Sequence, residues 1–330
     1  MASPAGTAST ASSKVPAFPA AAGGRRVPAV GLGTAWYPFV EEEIRAAVHA
    51  ALELGYRHLD TAAVYGSEQV VGEAVAEAVR RGIVASREEV FVTTKVWCTQ
   101  CHPDLVLPSL RESLQNLQMD YVDLYLVHWP MAVKPSKPHV PIKREDIVPM
   151  DLNGVWQAME ECHRLGLAKM IGVSNFTTQK LQELLAVAKI PPAVNQVELN
   201  PSWQQRRLIE FCKDEGINVT AYSPLGGETK SRVNSVLQSE VLKEIAKARG
   251  KSVAQISLRW IHEQGASMVT KSVKRDRLKE NIEIFDWELS DEDRFKISQI
   301  PQEKYVTVQG ILCPEGVSSV DISEVDVVEM

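Results

Sequence analysis

At 330 residues, with 45% hydrophobic and 24% charged side chains, the chain has ample apolar surface to bury, which excludes disorder as its dominant state. Its net charge of −6 leaves no chain-wide basic field for nucleic acid or anionic lipid, and no apolar run approaches the ~20 residues of a bilayer crossing. Five cysteines are too few, and odd in number, for a disulfide framework.

The first 24 residues are rich in Ala, Ser, Thr, Pro and Gly, with Lys14 their only charge, and are expected to form a flexible tail. They lack the charged-then-apolar order of a signal peptide, so a cytoplasmic, reducing compartment is expected. Gly23-Gly24 before Arg25-Arg26, between two short extended pieces, predicts a hairpin ahead of the first long strand.

From residue 28 onward, β-rich runs alternate with helical patterns. Strands are predicted at 28–33, 57–60, 90–95, 122–128, 168–173, 193–197, 217–222 and 266–269. Several are apolar almost throughout, as in YVDLYLVHW, which is how strands buried on both faces of a parallel sheet read. Helices are predicted at 41–54, 67–81, 104–117, 152–165, 177–188, 204–215, 239–249, 252–264 and 275–282. The first carries Ile44, Val48, Ala51 and Leu52 on one stripe and stops at Gly55. Ser290-Asp291-Glu292-Asp293 opens a last helix, with acids suited to its N-terminal dipole. Long irregular stretches are expected at 130–149, 224–238 and 301–330.

This alternation predicts an α/β fold: one (β/α)8 barrel over 25–330, with an N-terminal β-hairpin and a long C-terminal loop at 301–330. A rule of roughly 150 residues per domain would divide the chain in two, but no linker of shifted composition separates two halves.

Some motifs imitate chemistry. Cys98-Thr-Gln-Cys101-His102 has the CxxCH spacing of covalent haem attachment, yet the export signal and the second Cys pair of a zinc site are missing, so loop thiols are expected. Gly31-Leu-Gly33 starts like a dinucleotide fingerprint, but Trp36 stands where the third glycine belongs. Asn175-Phe-Thr177 and Asn218-Val-Thr220 are formal glycosylation sequons read as chance matches. Lys134, Lys137, Lys143 and Arg144 are Pro-spaced without interleaved aromatics, the pattern of a solvated loop.

Barrel enzymes place reactive groups at the C-terminal ends of their strands. Those positions hold Asp60, with Tyr65 just beyond, then Lys95 and His128. Singly, these read as a helix cap, a rim aromatic and a core histidine; on three successive strand ends they form a coherent set. A buried lysine is expected to lower the tyrosine pKa, with Asp60 offsetting the cost of burying Lys95. His128 is expected to orient a carbonyl oxygen against the phenol. Such a site protonates a carbonyl oxygen while hydride reaches carbon, and only a cofactor supplies hydride.

These residues resemble the aldo-keto reductase family. GYRHLDTAAVYGSEQVVG at 55–72, KMIGVSNF at 169–176 and VTKSVKRDRLKEN at 269–281 match its three signatures in order, and the likeness runs from about residue 28 to 300. Within the family the chain is similar to plant reductases of the codeinone, chalcone and deoxymugineic-acid group. The resemblance implies Tyr65 as general acid/base, tuned by Lys95 and Asp60, with His128 positioning substrate. It also implies NADPH stretched across the strand ends. Ser174, Asn175 and Gln196 would hold the carboxamide, Tyr222 would stack on the nicotinamide, and Gly33, Thr34 and Asp60 would lie near the ribose. Ser223 and Leu225 would follow the pyrophosphate, Lys271, Ser272 and Arg277 would clasp the 2′-phosphate, and Glu280 and Asn281 the adenine. Two cations and a hydroxyl within seven residues suit a phosphate on chemical grounds alone. Thr270 departs from the proline common in the family.

Trp36, Trp97, Trp129 and Trp203 follow strand ends and are expected to line an apolar substrate pocket with His128, with Cys313 of the C-terminal loop beside them. The expected partner is a small carbonyl compound, with neither nucleic acid nor membrane, and kinship implies a monomer. No metal is expected. A second reading keeps barrel and cofactor in a regulatory or structural protein with little turnover; the intact strand-end set weighs against it. A third runs the enzyme in the oxidative direction.

Overall fold

The computed structural model describes residues 15–19, 25–227 and 234–322. Eight parallel strands close a barrel: β1 (Val30–Gly33), β2 (His58–Asp60), β3 (Phe91–Val96), β4 (Val122–Val127), β5 (Ala168–Ser174), β6 (Val194–Glu198), β7 (Asn218–Tyr222) and β8 (Ser267–Thr270). They pair in chain order, with β8 closing onto β1. The register sets Gly33 beside Asp60, Lys95 beside Leu126, Gln196 beside Ser174 and Glu198 beside Tyr222, so the C-terminal ends form one ring.

Helices cover the outside: α1 (Glu41–Leu54), α2 (Glu68–Arg80), α3 (Val106–Leu117), α4 (Leu152–Arg164), α5 (Thr178–Leu185), α6 (Arg206–Asp214), α7 (Glu240–Arg249), α8 (Val253–Glu263), α9 (Arg275–Ile282) and α10 (Asp291–Ser298). α1 buries the predicted stripe and ends at Gly55, whose φ of 103° is the left-handed stop that the sequence implied. α10 begins with a reciprocal capping box between Ser290 and Asp293. Among the described residues, no helix is long and apolar enough to cross a membrane.

Several boundaries differ from expectation. His128 lies one residue past β4, although its N–H still donates to Val96 O at 3.2 Å. α6 begins at Arg206 rather than 204, because Gln205 adopts a left-handed φ of 43° that a helix cannot continue through. The predicted hairpin appears as two short antiparallel pieces, Ala17–Phe18 and Val27–Pro28; the Gly23-Gly24 turn lies outside the described residues. The flexible reading of 1–24 does not extend to Val15 and Phe18: Val15 is buried in the main core and Phe18 packs on His262 at 5.7 Å. Their apolar side chains gain more by covering the barrel than by remaining solvated.

The stretches 130–149 and 301–330, read as irregular, carry short structure of their own. Ala132–Val133 pairs with Ile147–Val148. Ile142 bridges Leu312, and Arg144 donates to Cys313 O at 2.9 Å and to Gln309 Oε1 at 2.6 Å. A second apolar cluster thereby forms above the strand ends, from Trp97, Cys98, Trp129, Met131, Val308 and Leu312 among others.

Candidate active site

The four residues predicted at the strand ends converge. Lys95, 1% exposed, donates from Nζ to Asp60 Oδ1 at 2.6 Å and to Thr61 O at 2.9 Å. Nζ also lies 4.9 Å from the centre of the Tyr65 ring. Tyr65 Oη and His128 Nε2 are 3.3 Å apart with the rings edge to face. Trp97 also meets His128 edge-on, at 4.9 Å between centroids, and fixes its own indole by donating to His139 O at 3.0 Å.

The electrostatics correct one expectation. The Tyr65 hydroxyl is not lowered but pushed well above the ordinary tyrosine value, first by burial, then by the Asp60 charge and by Tyr37. The reason is geometric: the Lys95 ammonium is already engaged by Asp60, so desolvation of the phenolate dominates. Burial also lowers Lys95. His128 falls well below the usual histidine value through burial and then the Lys95 charge, so its imidazole is neutral at pH 7. A protonated phenol beside a neutral imidazole is a proton donor paired with a hydrogen-bonding orienter.

Gln196 donates from Nε2 to Asp60 Oδ2 at 2.8 Å, the carboxylate oxygen that Lys95 does not use. The three residues assigned to a carboxamide are linked to one another, Ser174 Oγ donating to Gln196 O at 2.7 Å and Asn175 Nδ2 to Ser174 Oγ at 3.2 Å; Asn175 Nδ2 also donates to His128 O at 2.9 Å and Tyr222 Oη to Asn175 Oδ1 at 2.7 Å. Asn175 and Ser223 adopt left-handed φ values of 62° and 47° just past β5 and β7. Two such residues at the ends of the strands on either side of β6 point to a site held in shape by its surroundings. Thr34 follows β1 and donates from N and Oγ1 to Asp60 O at 2.9 and 3.0 Å, with Gly33 paired to Asp60. Leu225 packs at the core margin, two residues beyond Ser223.

Past β8, Lys271 and Arg277 are exposed, and Lys271 Nζ lies 5.9 Å over the Trp36 ring. Ser272 is partly exposed at the same edge, where α9 starts without a side-chain cap. Solvent-facing cations, a hydroxyl and uncapped helix N–H groups fit the phosphate of a dinucleotide. Glu280 is engaged by Ser252 Oγ, and Asn281 is buried.

Of the four tryptophans expected to line the pocket, Trp36 is partly buried on the main core, while Trp97, Trp129 and Trp203 are nearly fully buried. The C-terminal segment packs against Trp97 and Trp129 through Val308 and Leu312, and Cys313 N donates to Ile142 O at 2.7 Å. The CxxCH decoy has a plain explanation. Cys98 and Cys101 are buried free thiols, burial pushes Cys101 up to about 12, and His102 Nε2 lies 2.8 Å from Val133 O. Thiols of that kind are unreactive. Glu198 and Thr61 were missed by sequence reasoning, and only Glu198 left a signal, as a carboxylate at the end of a barrel strand; Arg144, read there as part of a solvated loop, instead donates to Cys313 O and Gln309 Oε1.

A parallel barrel whose strand ends gather a phenol, an ammonium, a carboxylate and an imidazole defines an oxidoreductase-type site for carbonyl chemistry. The Aldo/keto reductase family model matches residues 29–301. Deoxymugineic acid synthase 1 of Zea mays is 58% identical over 279 residues, covering 84% of this chain and 89% of that protein. The NAD(P)H-dependent 6′-deoxychalcone synthase of Glycine max is 52% identical over 290 residues, covering 88% and 92%. The structure of a Bombyx mori aldo-keto reductase in complex with NADP superposes with a TM-score of 0.81 at 38% identity, covering 90% of this chain and 96% of that one. The chain belongs to the aldo/keto reductase family.

Proposed function

We propose that the protein is an NADPH-dependent reductase that converts an aldehyde or ketone to the alcohol. The observation that carries this reading is the Lys95–Asp60 pair beneath a protonated Tyr65 that faces a neutral His128. The chemistry that a bound NADPH supplies is the hydride, which no side chain can offer. His128 Nε2 and Tyr65 Oη orient the carbonyl oxygen, and Tyr65 gives that oxygen its hydroxyl proton as negative charge builds there. Lys95, over the ring, then stabilises the phenolate until solvent protons restore it. Burial that raises the Tyr65 pKa keeps the proton in place until the reacting oxygen demands it.

Ser174, Asn175 and Tyr222 are assigned to the nicotinamide end of the cofactor, and Gly33, Thr34 and Asp60 to its ribose. Ser223 and Leu225 are assigned to the pyrophosphate, Lys271, Ser272 and Arg277 to the 2′-phosphate, and Glu280 and Asn281 to the adenine. Gln196 reaches the carboxamide only by sharing its amide with Asp60. Trp36, Trp97, Trp129, Trp203 and Cys313 are assigned to an apolar substrate wall. The relatives from Zea mays and Glycine max support a metabolite of plant specialised metabolism as substrate, and a cytoplasmic monomer is the form proposed. The intact proton-donor set favours turnover over a purely structural barrel. Stopped-flow oxidation of NADPH against a panel of aldehydes and ketones tests the proposal. Carbonyl-dependent loss of NADPH is expected, and none with any member overturns it.

A further inference from the structure

Glu198 ends β6 with its side chain 1% exposed. Its carboxylate accepts backbone N–H groups of the C-terminal segment, Tyr305 at 3.1 Å to each oxygen and Val306 at 2.7 Å to Oε2. A carboxylate taken out of water is costly unless hydrogen-bonded, so these contacts and the depth of the group belong together. Lys304 of the same segment faces it, Asn200 hydrogen-bonds it from beyond β6, and Gln205 Nε2 donates to the Glu198 carbonyl.

Tyr305 links two covers of the site. Its ring lies flush on Gly227, where an added Cβ would stand 1.7 Å from Tyr305 Cε1. Gly227 is two residues beyond Leu225, in the segment assigned to the cofactor pyrophosphate. In the other direction the chain runs into Val306, Val308 and Leu312, which pack in the cluster containing Trp97 and Trp129. The carboxylate thus fixes the point where the cofactor-side segment and the substrate-side segment meet.

We propose that Glu198 is a positioning residue for the reductase reaction: by holding the backbone at Tyr305 and Val306, it seats the C-terminal segment on Gly227 and on the Trp97–Trp129 wall, and so sets the affinity for the carbonyl substrate. The proposal rests on the reading of the strand ends as a carbonyl reductase site. Burial also pushes the Glu198 carboxyl up to about 7. The N–H groups of Tyr305 and Val306 and the Lys304 charge act against that rise and favour the ionised form that accepts them.

Steady-state kinetics and amide exchange of the full-length enzyme test this. Glu198→Ala, which leaves both N–H groups without their acceptor, is expected to raise KM for the carbonyl about tenfold with kcat nearly unchanged, and to speed exchange at Tyr305 and Val306. Glu198→Gln, which keeps one acceptor oxygen and cannot titrate, is expected to recover most of that KM. Gly227→Ala, which leaves Glu198 intact and displaces the Tyr305 ring, is expected to reproduce the KM increase even if Glu198→Ala fails to fold. Wild-type KM in both Glu198→Ala and Gly227→Ala, or faster exchange without a KM change, overturns the proposal. Failure of the reductase reading would show separately, as a wild-type enzyme that does not oxidise NADPH with any carbonyl compound of the panel.

Discussion

Gln196 Nε2 stands 2.8 Å from Asp60 Oδ2, so the carboxylate that neutralises Lys95 is itself held from a strand 136 residues away. Both Asp60 oxygens are thereby satisfied in a buried setting. The arrangement keeps the Lys95–Asp60 pair oriented beneath Tyr65 without any exposed member to compete for the charge.

Gln196→Leu preserves bulk but leaves Asp60 Oδ2 buried without that donor. A loss of about 1–3 kcal/mol of stability is expected, the cost of one unsatisfied buried acceptor. Urea unfolding measures it directly. An unchanged midpoint would mean that the amide contributes nothing to the carboxylate.

Tyr65→Phe removes the proposed proton donor and leaves the ring over Lys95. Turnover should fall by about 10²–10⁴, the usual worth of a general acid. NADPH affinity, read by quenching of tryptophan fluorescence, should stay at the wild-type value. Retained turnover would sink the assignment of Tyr65.

Lys271→Ala combined with Arg277→Ala removes both exposed cations assigned to the 2′-phosphate. Each charge-assisted contact is worth about 1.5–3 kcal/mol, so NADPH binding should weaken by at least roughly tenfold while NADH binding holds. Equal loss for both cofactors, measured by titration, would refute the phosphate clasp.

His128 has a folded pKa well below its ordinary value of 6.5, so the unfolded chain binds a proton there that the folded chain refuses. Its contribution to stability is therefore complete above pH 6.5 and declines as pH falls below that value, by about 1.4 kcal/mol per unit. His128→Gln should unfold with a shallower loss of stability than the wild type between about pH 6.5 and 5. Parallel slopes would show that the imidazole is charged in the folded state.

Much of this site was legible before any coordinates. Asp60, Tyr65, Lys95 and His128 occupy strand ends that alternation alone locates, and they meet as expected. Their protonation was not legible. The sequence places a lysine near a tyrosine and so argues for a lowered phenol, whereas the structure raises it. The difference comes from the depth of burial and from which partner holds the ammonium, and neither is local in sequence. Likewise, 301–330 reads as a long irregular loop. The Ile142–Leu312 bridge and the Arg144 contacts depend on two segments about 170 residues apart folding onto each other.

The sequence by itself determined the barrel, the family and which four side chains meet at the strand ends, because strand periodicity, signature spacing and residue chemistry are properties of short stretches. Tertiary structure alone decided the charge states of Tyr65 and His128, the second partner of Asp60 and the seat of the C-terminal segment on Glu198. Desolvation and hydrogen-bond satisfaction are sums over neighbours that only the closed barrel brings together.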